Sequence, residues 1–387
     1  MARVFVGVLA GAVNAQVLTA VKALIDFIYF AQLQSHTSRT LDALQASLDT
    51  FHDYKDVFVK SGIREHFNIP KLHALQHYVD GIRRLGSADG YNTESPERLH
   101  IDFAKKAYRA SNRRDYTEQM ALWLQRQEAI ALRVSYLQWF ALQGPPTADK
   151  SDDDSDDEPS AIASSHCRSP AAENVPVAYL QVTHGANDFI PALTVFLKEH
   201  FTSSPVTPSQ YDRFDIFNQI SVHAARNRYL SDQPRKSRIR AIAAVPAKGR
   251  KSGSPAIFDT ALVIEHPSQY VPSSGIAGLR PAQIRVIFKL PPQFGNYSHP
   301  LAYIEWFTPL NRPDPTTDMF TTHRSSRNRR RNAAVISVEH IVCACHLMGK
   351  CGATIDRKWT SFNVLDEAAM FYVNPYIHVD TFTRQKI

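Results

Sequence analysis

The sequence holds two carboxylates, Glu94 and Glu97, three residues apart where a loop rich in turn-forming residues leads into a helix, in the stretch GSADGYNTESPERLH at residues 86–100. Negative side chains in a first helical turn are stabilised by the helix dipole, which accounts for most pairs of this kind. A carboxylate at such a junction also suits a divalent cation in phosphoryl transfer, but that chemistry needs two or three acids that converge. No second acidic motif stands upstream of Glu94, so the residues alone predict at most an incomplete metal site.

A second candidate for metal chemistry is the stretch CACHLMGKC, which contains Cys343, Cys345, His346 and Cys351. Structural zinc sites normally place two to four residues between their first cysteines, and here one residue separates them. Zinc is therefore the weaker interpretation and buried thiols are the favoured one. With Cys167 the chain has four cysteines, too few and too unevenly spread for a disulfide framework, which favours a reducing compartment.

A loop in the C-terminal part carries five arginines in the stretch HRSSRNRRRN, residues 323–332: Arg324, Arg327, Arg329, Arg330 and Arg331. It is either a solvated hairpin loop or a patch that contacts phosphates or directs nuclear import. The functional interpretation is favoured because nearby aromatic side chains can stack on bases, although aromatics at strand spacing more often belong to a core. Those aromatics are Trp306, Phe307 and Phe320.

Charge is distributed unevenly along the chain. Residues 176–387 contain 25 Lys and Arg against 15 Asp and Glu, while the whole chain carries a formal net charge of +7. A basic surface favours a polyanionic partner such as DNA or another nucleic acid, and no small-molecule substrate is indicated. The 44% hydrophobic content of this 387-residue chain excludes a globally disordered protein.

The first 30 residues imitate a signal peptide, with Arg3, an apolar run and small residues near Ala15. Apolar spacing nevertheless continues through Phe30, as in a single amphipathic helix. Polar residues such as Lys22 and Asp26 interrupt the run, which excludes a span of about 20 apolar residues. We expect no secretion and no membrane partner.

Helical periodicity dominates the first third of the chain. It predicts a first helix that ends before SHTSRT, a second over about 38–60 with Gly62 as its stop, a third over 68–85, a fourth from a Ser95 cap and Pro96 to about 109, and a fifth over 115–142. The segment at residues 144–175 is acidic, Ser-rich and aperiodic, which predicts a disordered linker between loosely coupled halves.

Beyond the linker, short β-type runs alternate with Pro and Gly, which predicts a small antiparallel sheet or barrel. The sequence therefore predicts an α+β protein in three parts: a helical domain at 1–143, the acidic linker at 144–175 and a basic β-rich domain at 176–387.

Several long stretches resemble one family. They are ALIDFIYFAQLQSHTSRTLDAL, the region from HFNIPKLHALQHYVDGIRRLGS to ALWLQRQE, AQIRVIFKLP, HPLAYIEWFTPLNRPDP and FYVNPYIHVDTF. They are similar to the C-terminal portion of fungal Plavaka-type transposases, relatives of the Kyakuja, Dileera and Zisupton elements, over nearly the whole chain outside the acidic segment. The resemblance implies a DDE transposase with a ribonuclease H-like core, interrupted by a helical insertion, that uses a divalent metal such as Mg²⁺. The helical half would then be the tail of that core with its insertion.

The family's terminal acid motif aligns with NTESPERLH, so that the resemblance puts the last catalytic acid at Glu94 and the motif's second glutamate at Glu97. The strands and both aspartates of the core would lie before Met1. We therefore expect a truncated, catalytically inactive transposase-derived protein, nuclear or otherwise cytoplasmic, that needs no cofactor in this form and binds nucleic acid through its basic C-terminal part. The alternatives are a structural or protein-interaction module and, less favoured, an active metal nuclease.

Overall fold

The computed structural model describes residues 2–91, 94–142, 164–166, 170–201, 206–224, 227–230, 236–247, 249, 252–272 and 275–387. The chain divides into two compact units, of which the first comprises Met1–Ser87 with Ala161–Ile387 and the second Ala88–Ser160. Composition had instead placed residues 1–143 in one domain. The difference arises because the N-terminal helices share a core with the C-terminal part of the chain.

The first unit contains ten of the described helices: α1 (Ala2–Leu9), α2 (Ala15–Ala31), α3 (Ser38–Tyr54), α4 (Val57–Lys60), α5 (Pro70–Leu75), α6 (Tyr78–Leu85), α10 (Val177–His184), α11 (Phe189–His200), α12 (Val364–Glu367) and α13 (Val379–Lys386). The second unit contains α7 (Glu94–Leu99), a π-helical segment His100–Lys105, α8 (Lys106–Ala110) and α9 (Tyr116–Leu142).

The strands are all in the first unit: β1 (Ser164–His166), β2 (Ala172–Pro176), β3 (Arg213–Phe217), β4 (Gln219–His223), β5 (Lys236–Ile242), β6 (Ile257–Phe258), β7 (Thr260–Ile264), β8 (Leu279–Lys289), β9 (Leu301–Trp306), β10 (Thr321–Thr322), β11 (Ser326–Arg327), β12 (Arg330–Arg331), β13 (Ala333–Ser337), β14 (Ile341–Ala344), β15 (Leu347–Gly349) and β16 (Phe371–Val373).

The largest sheet has seven strands and is built around the long strand β8. Its main path runs β13-β9-β8-β3-β2, and β7 pairs with both β8 and β14. A four-stranded sheet has the order β1-β4-β5-β6, a three-stranded sheet the order β10-β16-β15, and β11 pairs with β12 alone. Every strand pair described is antiparallel. The predicted α+β class is confirmed, and the described sheets are open, so that the barrel alternative does not apply.

The two faces of the seven-stranded sheet are covered differently. Helices α10 and α11 pack on one face through buried side chains that include Phe189 and Phe196, against Phe214 and Phe288 of the strands. The other face packs against β4 and β5 through residues such as Ile220 and Ile239. Covering both faces explains why β8 and β9 are buried along almost their whole length.

The N-terminal region forms more helices than the periodicity predicts. The single helix expected up to residue 34 is broken between Leu9 and Ala15, where the Asn14 side chain accepts a hydrogen bond from the backbone N–H of Gln16 and caps α2. The second helix begins as predicted, with a capping box between Thr37 and Thr40. The capping residue Asn14 lies inside an apolar run, and the 3.6-residue periodicity of that run does not reveal the break.

The other helix boundaries also differ in detail. The region predicted as one helix over 68–85 is divided into α5 and α6. The helix predicted to begin after a Ser95 cap begins at Glu94 and continues through the π-helical segment. The long helix predicted over 115–142 is confirmed as α9.

The N-terminal helices and the C-terminal end of the chain share one hydrophobic core. Phe30 of α2 packs edge-to-face on Phe382 of α13, with ring centroids 5.0 Å apart, and Asn374 donates from Nδ2 to the backbone oxygen of Arg3 at 2.9 Å. Loose coupling between the two ends of the chain is therefore wrong, because burying these apolar side chains holds the two ends together.

Most of the segment predicted as a disordered linker, 144–175, lies outside the described residues, and its end is folded. Strand β1 pairs with β4, and β2 pairs with β3 so that Val175 lies opposite Phe214. Val175 is buried in the core beneath α10 and α11. For this end of the segment the linker prediction is wrong, because one buried valine and a ladder of backbone hydrogen bonds stabilise it in the sheet.

Candidate functional site

The arginine loop forms a two-stranded hairpin in which Ser326 pairs with Arg331 and Arg327 with Arg330. The two turn residues, Asn328 and Arg329, have φ of 52° and 63°. Two consecutive left-handed residues match a tight hairpin turn whose twist fits the flanking strands. Asparagine adopts this conformation readily, whereas arginine does so at a cost. The arginines are thus presented on an ordered turn.

Two arginines of the hairpin, Arg327 and Arg329, have no acidic partner in the described part of the chain. Both side chains are exposed, and among the described residues neither takes part in an ion pair or hydrogen bond through its guanidinium. An uncompensated guanidinium on a hairpin is suited to bind a phosphate or carboxylate.

The two following arginines attach the hairpin to its surroundings. Arg330 Nη1 lies 3.0 Å from Asp188 Oδ1, and Arg331 Nη2 lies 3.7 Å from Asp366 Oδ1. Their side chains remain 74% and 41% exposed. Both can still contact a ligand, although an acid already offsets part of their charge.

The fifth arginine, Arg324, is part of the protein interior. Its side chain is only 10% exposed and donates to Glu305 Oε2 at 3.3 Å and to Asp366 Oδ1 at 2.9 Å. Its guanidinium lies 4.7 Å from the centre of the Phe307 ring. Burial lowers the pKa of Arg324 to about 10, against the opposing effect of the two carboxylates. A nucleic-acid contact by Arg324 does not fit this geometry, since its charge is used inside the fold.

The aromatic residues beside the loop are also interior. Phe307 is fully buried and packs edge-to-face on Phe371, with centroids 5.5 Å apart. Trp306 is 9% exposed and lies under Arg280, while Phe320 is half-buried in the same core as Phe307. The expectation that these rings stack on bases is therefore wrong, because Phe307 and Phe320 pack against the C-terminal strands and Trp306 packs in the core that the seven-stranded sheet shares with β4 and β5.

A row of buried polar residues crosses the sheet beside the hairpin. Thr260, Gln283 and Glu305 lie opposite one another on β7, β8 and β9, and all three are at most 7% exposed. No sequence pattern predicted this row, although each of the three polar residues stands among apolar neighbours in its strand. Only the strand register shows that the three lie side by side.

Glu305 is the acid at the centre of an arginine network. Its Oε2 accepts from Arg285 Nη2 at 3.2 Å and from Arg324 Nη1 at 3.3 Å, while both arginines also contact Asp366 Oδ1. Two charged partners compensate the buried carboxylate, as desolvated charges require. The network holds the hairpin against the sheet.

A cavity of about 690 Å³ opens on the same side of the sheet. Its lining includes Arg238, Phe258, Gln283, Phe362 and Asp366. Because Asp366 also contacts Arg324 and Arg331, the cavity and the hairpin are neighbours. This region combines exposed cations, a buried polar row and a cavity, and it is the best candidate for a binding site in the first unit.

The two glutamates singled out from the sequence lie in the second unit. Glu94 is the first residue of α7, and its side chain lies outside the described part of the structure. Glu97 lies in the same helix and is exposed. Among the described residues, no group of three His, Cys, Asp or Glu side chains is arranged to hold a metal ion.

The cysteine cluster does not converge. Cys343 and Cys345 are buried in one hydrophobic core, and burial raises the pKa of the Cys345 thiol. Cys351 donates to the backbone oxygen of Gly349 at 3.2 Å, while His346 Nδ1 lies 3.1 Å from Asn374 Nδ2. The arrangement matches the favoured interpretation of buried thiols.

Comparison of the chain with protein-family models, with curated proteins and with solved structures finds no match. None of the described helices has the length and apolar character that a membrane crossing requires.

Proposed function

We propose that this chain is a transposase-derived protein that binds nucleic acid through the hairpin at residues 326–331. The observation that carries the proposal is the pair of exposed guanidiniums, Arg327 and Arg329, which lack an acidic partner among the described residues. Each suits a phosphate, and Arg330 and Arg331 extend the patch. The excess of basic residues over 176–387 adds long-range attraction for a polyanion.

The physical consequence of such a patch is affinity without sequence readout. Guanidinium contacts to phosphates position a nucleic acid but do not distinguish its bases. Each neutralised phosphate releases counterions, so that the logarithm of the binding constant falls with the logarithm of the salt concentration by close to one unit per contact for duplex DNA. We expect a nuclear protein with little sequence preference.

The transposase origin rests on the family resemblance of the stretches quoted above. By that resemblance Glu94 is the terminal acid of a DDE site, with Glu97 next to it in the motif. Two-metal phosphoryl transfer needs carboxylates that hold both ions against the attacking and leaving oxygens. We therefore propose that the chain alone does not cleave or join DNA with Mg²⁺ or Mn²⁺; nicking by the chain that is lost in Glu94→Ala would contradict this.

The deciding experiment compares two double variants of equal charge change. Arg327→Ala with Arg329→Ala removes the unpaired guanidiniums, while Arg312→Ala with Arg357→Ala removes two exposed arginines outside the hairpin. Affinity for a labelled 20-base-pair duplex is measured from 50 to 300 mM NaCl. The hairpin variant is expected to lower the salt slope by about two units, and the control to leave the slope near that of the parent. Equal slopes for the parent and both variants would refute phosphate binding by the hairpin.

A protein-interaction role is the second candidate, and helix α9 favours it. Every described side chain from Gln125 to Phe140 is exposed, including Ile130 at 58% and Trp139 at 52%. Met120, Trp123, Gln127, Ile130, Val134 and Leu137 follow the three-four spacing of a coiled-coil seam. Such a seam fits the apolar face of another helix.

The two candidates are separated by how they respond to salt and to substitution. Ile130→Glu with Leu137→Glu would abolish helix association, measured as concentration-dependent sedimentation, and would leave duplex affinity within about twofold. If sedimentation and binding are both unchanged, the interaction role through α9 is contradicted.

A further inference from the structure

The cavity beside the hairpin contains a buried amide that lacks one hydrogen bond. Gln283 is 3% exposed and lines the cavity. Its Nε2 donates to the backbone oxygen of Phe258 at 3.2 Å, while its Oε1 accepts from no described residue. A buried acceptor without a donor destabilises the fold. The oxygen itself is buried from solvent, so Gln283 contributes a polar wall to the cavity rather than an acceptor that a ligand can reach.

A second polar group of the cavity has a defined role. Asn374 accepts from the backbone N–H of Tyr376 through Oδ1 at 2.9 Å, so its Nδ2 must be the atom that donates to His346 Nδ1 at 3.1 Å. His346 Nδ1 is then an acceptor, and the proton of the neutral ring lies on Nε2. No described residue accepts from Nε2. His346, which lines the cavity, thus offers a hydrogen-bond donor to a ligand there.

The cavity also offers an aromatic surface and an unpaired cation. Phe362 lines it with a side chain that is 62% exposed. Arg240 is neutralised by two hydrogen bonds of 2.9 Å to Asp259. Arg238 is exposed and has no acidic partner among the described residues. A ligand that pairs with His346, Phe362 and Arg238 has a planar ring with an acceptor on its edge, together with a negative charge.

Those properties belong to a nucleotide, and the position of the cavity indicates where that nucleotide comes from. Asp366 lines the cavity and contacts both Arg324 and Arg331 of the arginine loop. A strand whose phosphates contact the hairpin would therefore pass the cavity. A base inside a duplex is stacked and paired and cannot enter a pocket unless it is unstacked.

We propose that this cavity receives one nucleotide of a single-stranded nucleic acid whose backbone lies on the hairpin. An acceptor on the edge of the base binds His346 Nε2, the ring stacks on Phe362, and Arg238 binds a neighbouring phosphate. This inference rests on the proposed function, since the hairpin supplies most of the affinity. It adds a preference for single strands that phosphate contacts alone do not produce.

The test uses the full chain and three probes: a 12-nucleotide single strand with one 2-aminopurine, the matching duplex, and a free deoxynucleoside monophosphate. Phe362→Ala and Arg238→Ala change exposed residues, so folding is preserved. Ile355→Ala and Arg312→Ala are their matched controls at exposed positions. Circular dichroism verifies the fold of each variant.

We expect the parent to bind the single strand more tightly than the duplex and to change the 2-aminopurine fluorescence. Phe362→Ala should weaken single-strand binding at least about fivefold, as loss of base stacking does, and leave duplex affinity unchanged. The two controls should behave as the parent.

Each failure has a distinct meaning. If Phe362→Ala and Arg238→Ala bind the single strand as the parent does, while the hairpin double variant loses binding, the cavity inference is overturned and the proposed function stands. If the monophosphate binds and the oligonucleotide does not, the ligand is a free nucleotide and the inference is also overturned. If no probe binds at 50 mM NaCl, both proposals fail.

Discussion

Tyr376 donates a hydrogen bond to Asp26 Oδ1 at 2.7 Å, and 350 positions of sequence separate the two residues. Both are buried, and burial together with the nearby carboxylate raises the pKa of Tyr376 well above its ordinary value. Lys22 lies 3.4 Å from the same carboxylate. The bond joins α2 to the C-terminal end of the chain, within one core.

Tyr376→Phe should lower the free energy of unfolding by about 1–3 kcal/mol, because the buried Asp26 would keep Lys22 but lose the hydroxyl that donates to its Oδ1. Urea denaturation followed by tyrosine and tryptophan fluorescence measures the change. Tyr211→Phe is the matched control, since Tyr211 is 92% exposed, and should alter stability by less than about 0.5 kcal/mol. Equal midpoints for the two variants would show that the bond contributes nothing.

Glu305→Gln should destabilise the protein by about 3 kcal/mol, because it removes the buried carboxylate between Arg285 and Arg324 and leaves both arginines only the partly exposed carboxylate of Asp366. The control is Glu339→Gln, whose parent side chain is 49% exposed beside His299; its effect should stay below about 1 kcal/mol. Guanidinium titrations of both variants decide the matter, and a Glu305 variant as stable as the control would contradict a role for the network in the fold.

The stability of the protein should fall between pH 6.5 and pH 4 in part through His184. This residue is 3% exposed, and burial, aided by the charge of Arg285, lowers its pKa to about 4. The unfolded chain therefore binds a proton that the folded chain excludes. This difference lowers the free energy of unfolding by at most about 1.4 kcal/mol for each pH unit of acidification. The stability contributed by neutral His184 is fully present above the pKa of the unfolded chain and is lost as the pH falls toward the pKa of the folded chain.

Thermal unfolding of the parent and of His184→Asn across pH 4.5 to 7 tests the role of His184. The variant should show a flatter dependence of melting temperature on pH, whatever its stability at pH 7. Parallel curves for the two proteins would assign the pH dependence to other groups.

Arg329→Gly should separate the stability of the hairpin from its binding. Residue 329 has φ of 63°, which glycine adopts without cost, so that the substitution should raise stability by about 0.5–1 kcal/mol. It should also remove close to one unit of salt slope in duplex binding. Arg327→Ala, at a strand position, should lower the salt slope of duplex binding by a similar amount without raising the stability of the fold. A salt slope unchanged in Arg329→Gly would show that the turn arginine contacts no phosphate.

Part of the local structure follows from the order of residues along the chain. The 3.6-residue periodicity and the end signals predicted α9 and the start of α3, and the β-type runs predicted an antiparallel β-rich region. These features depend on residues close together in the chain, whose spacing carries the signal. Periodicity did not predict the helix break at Asn14, because one polar capping residue changes a long apolar pattern very little.

The tertiary structure decided what those elements do together. Arg324 and Arg327 are near neighbours of one type in one loop, yet the first is buried between two carboxylates and the second has no acidic partner among the described residues. Strand register alone brought Thr260, Gln283 and Glu305 into one row, and only folding placed Asp26 against Tyr376. Burial and charge pairing arise between residues far apart in sequence, so no local pattern of residue types could specify which arginine stays free to bind.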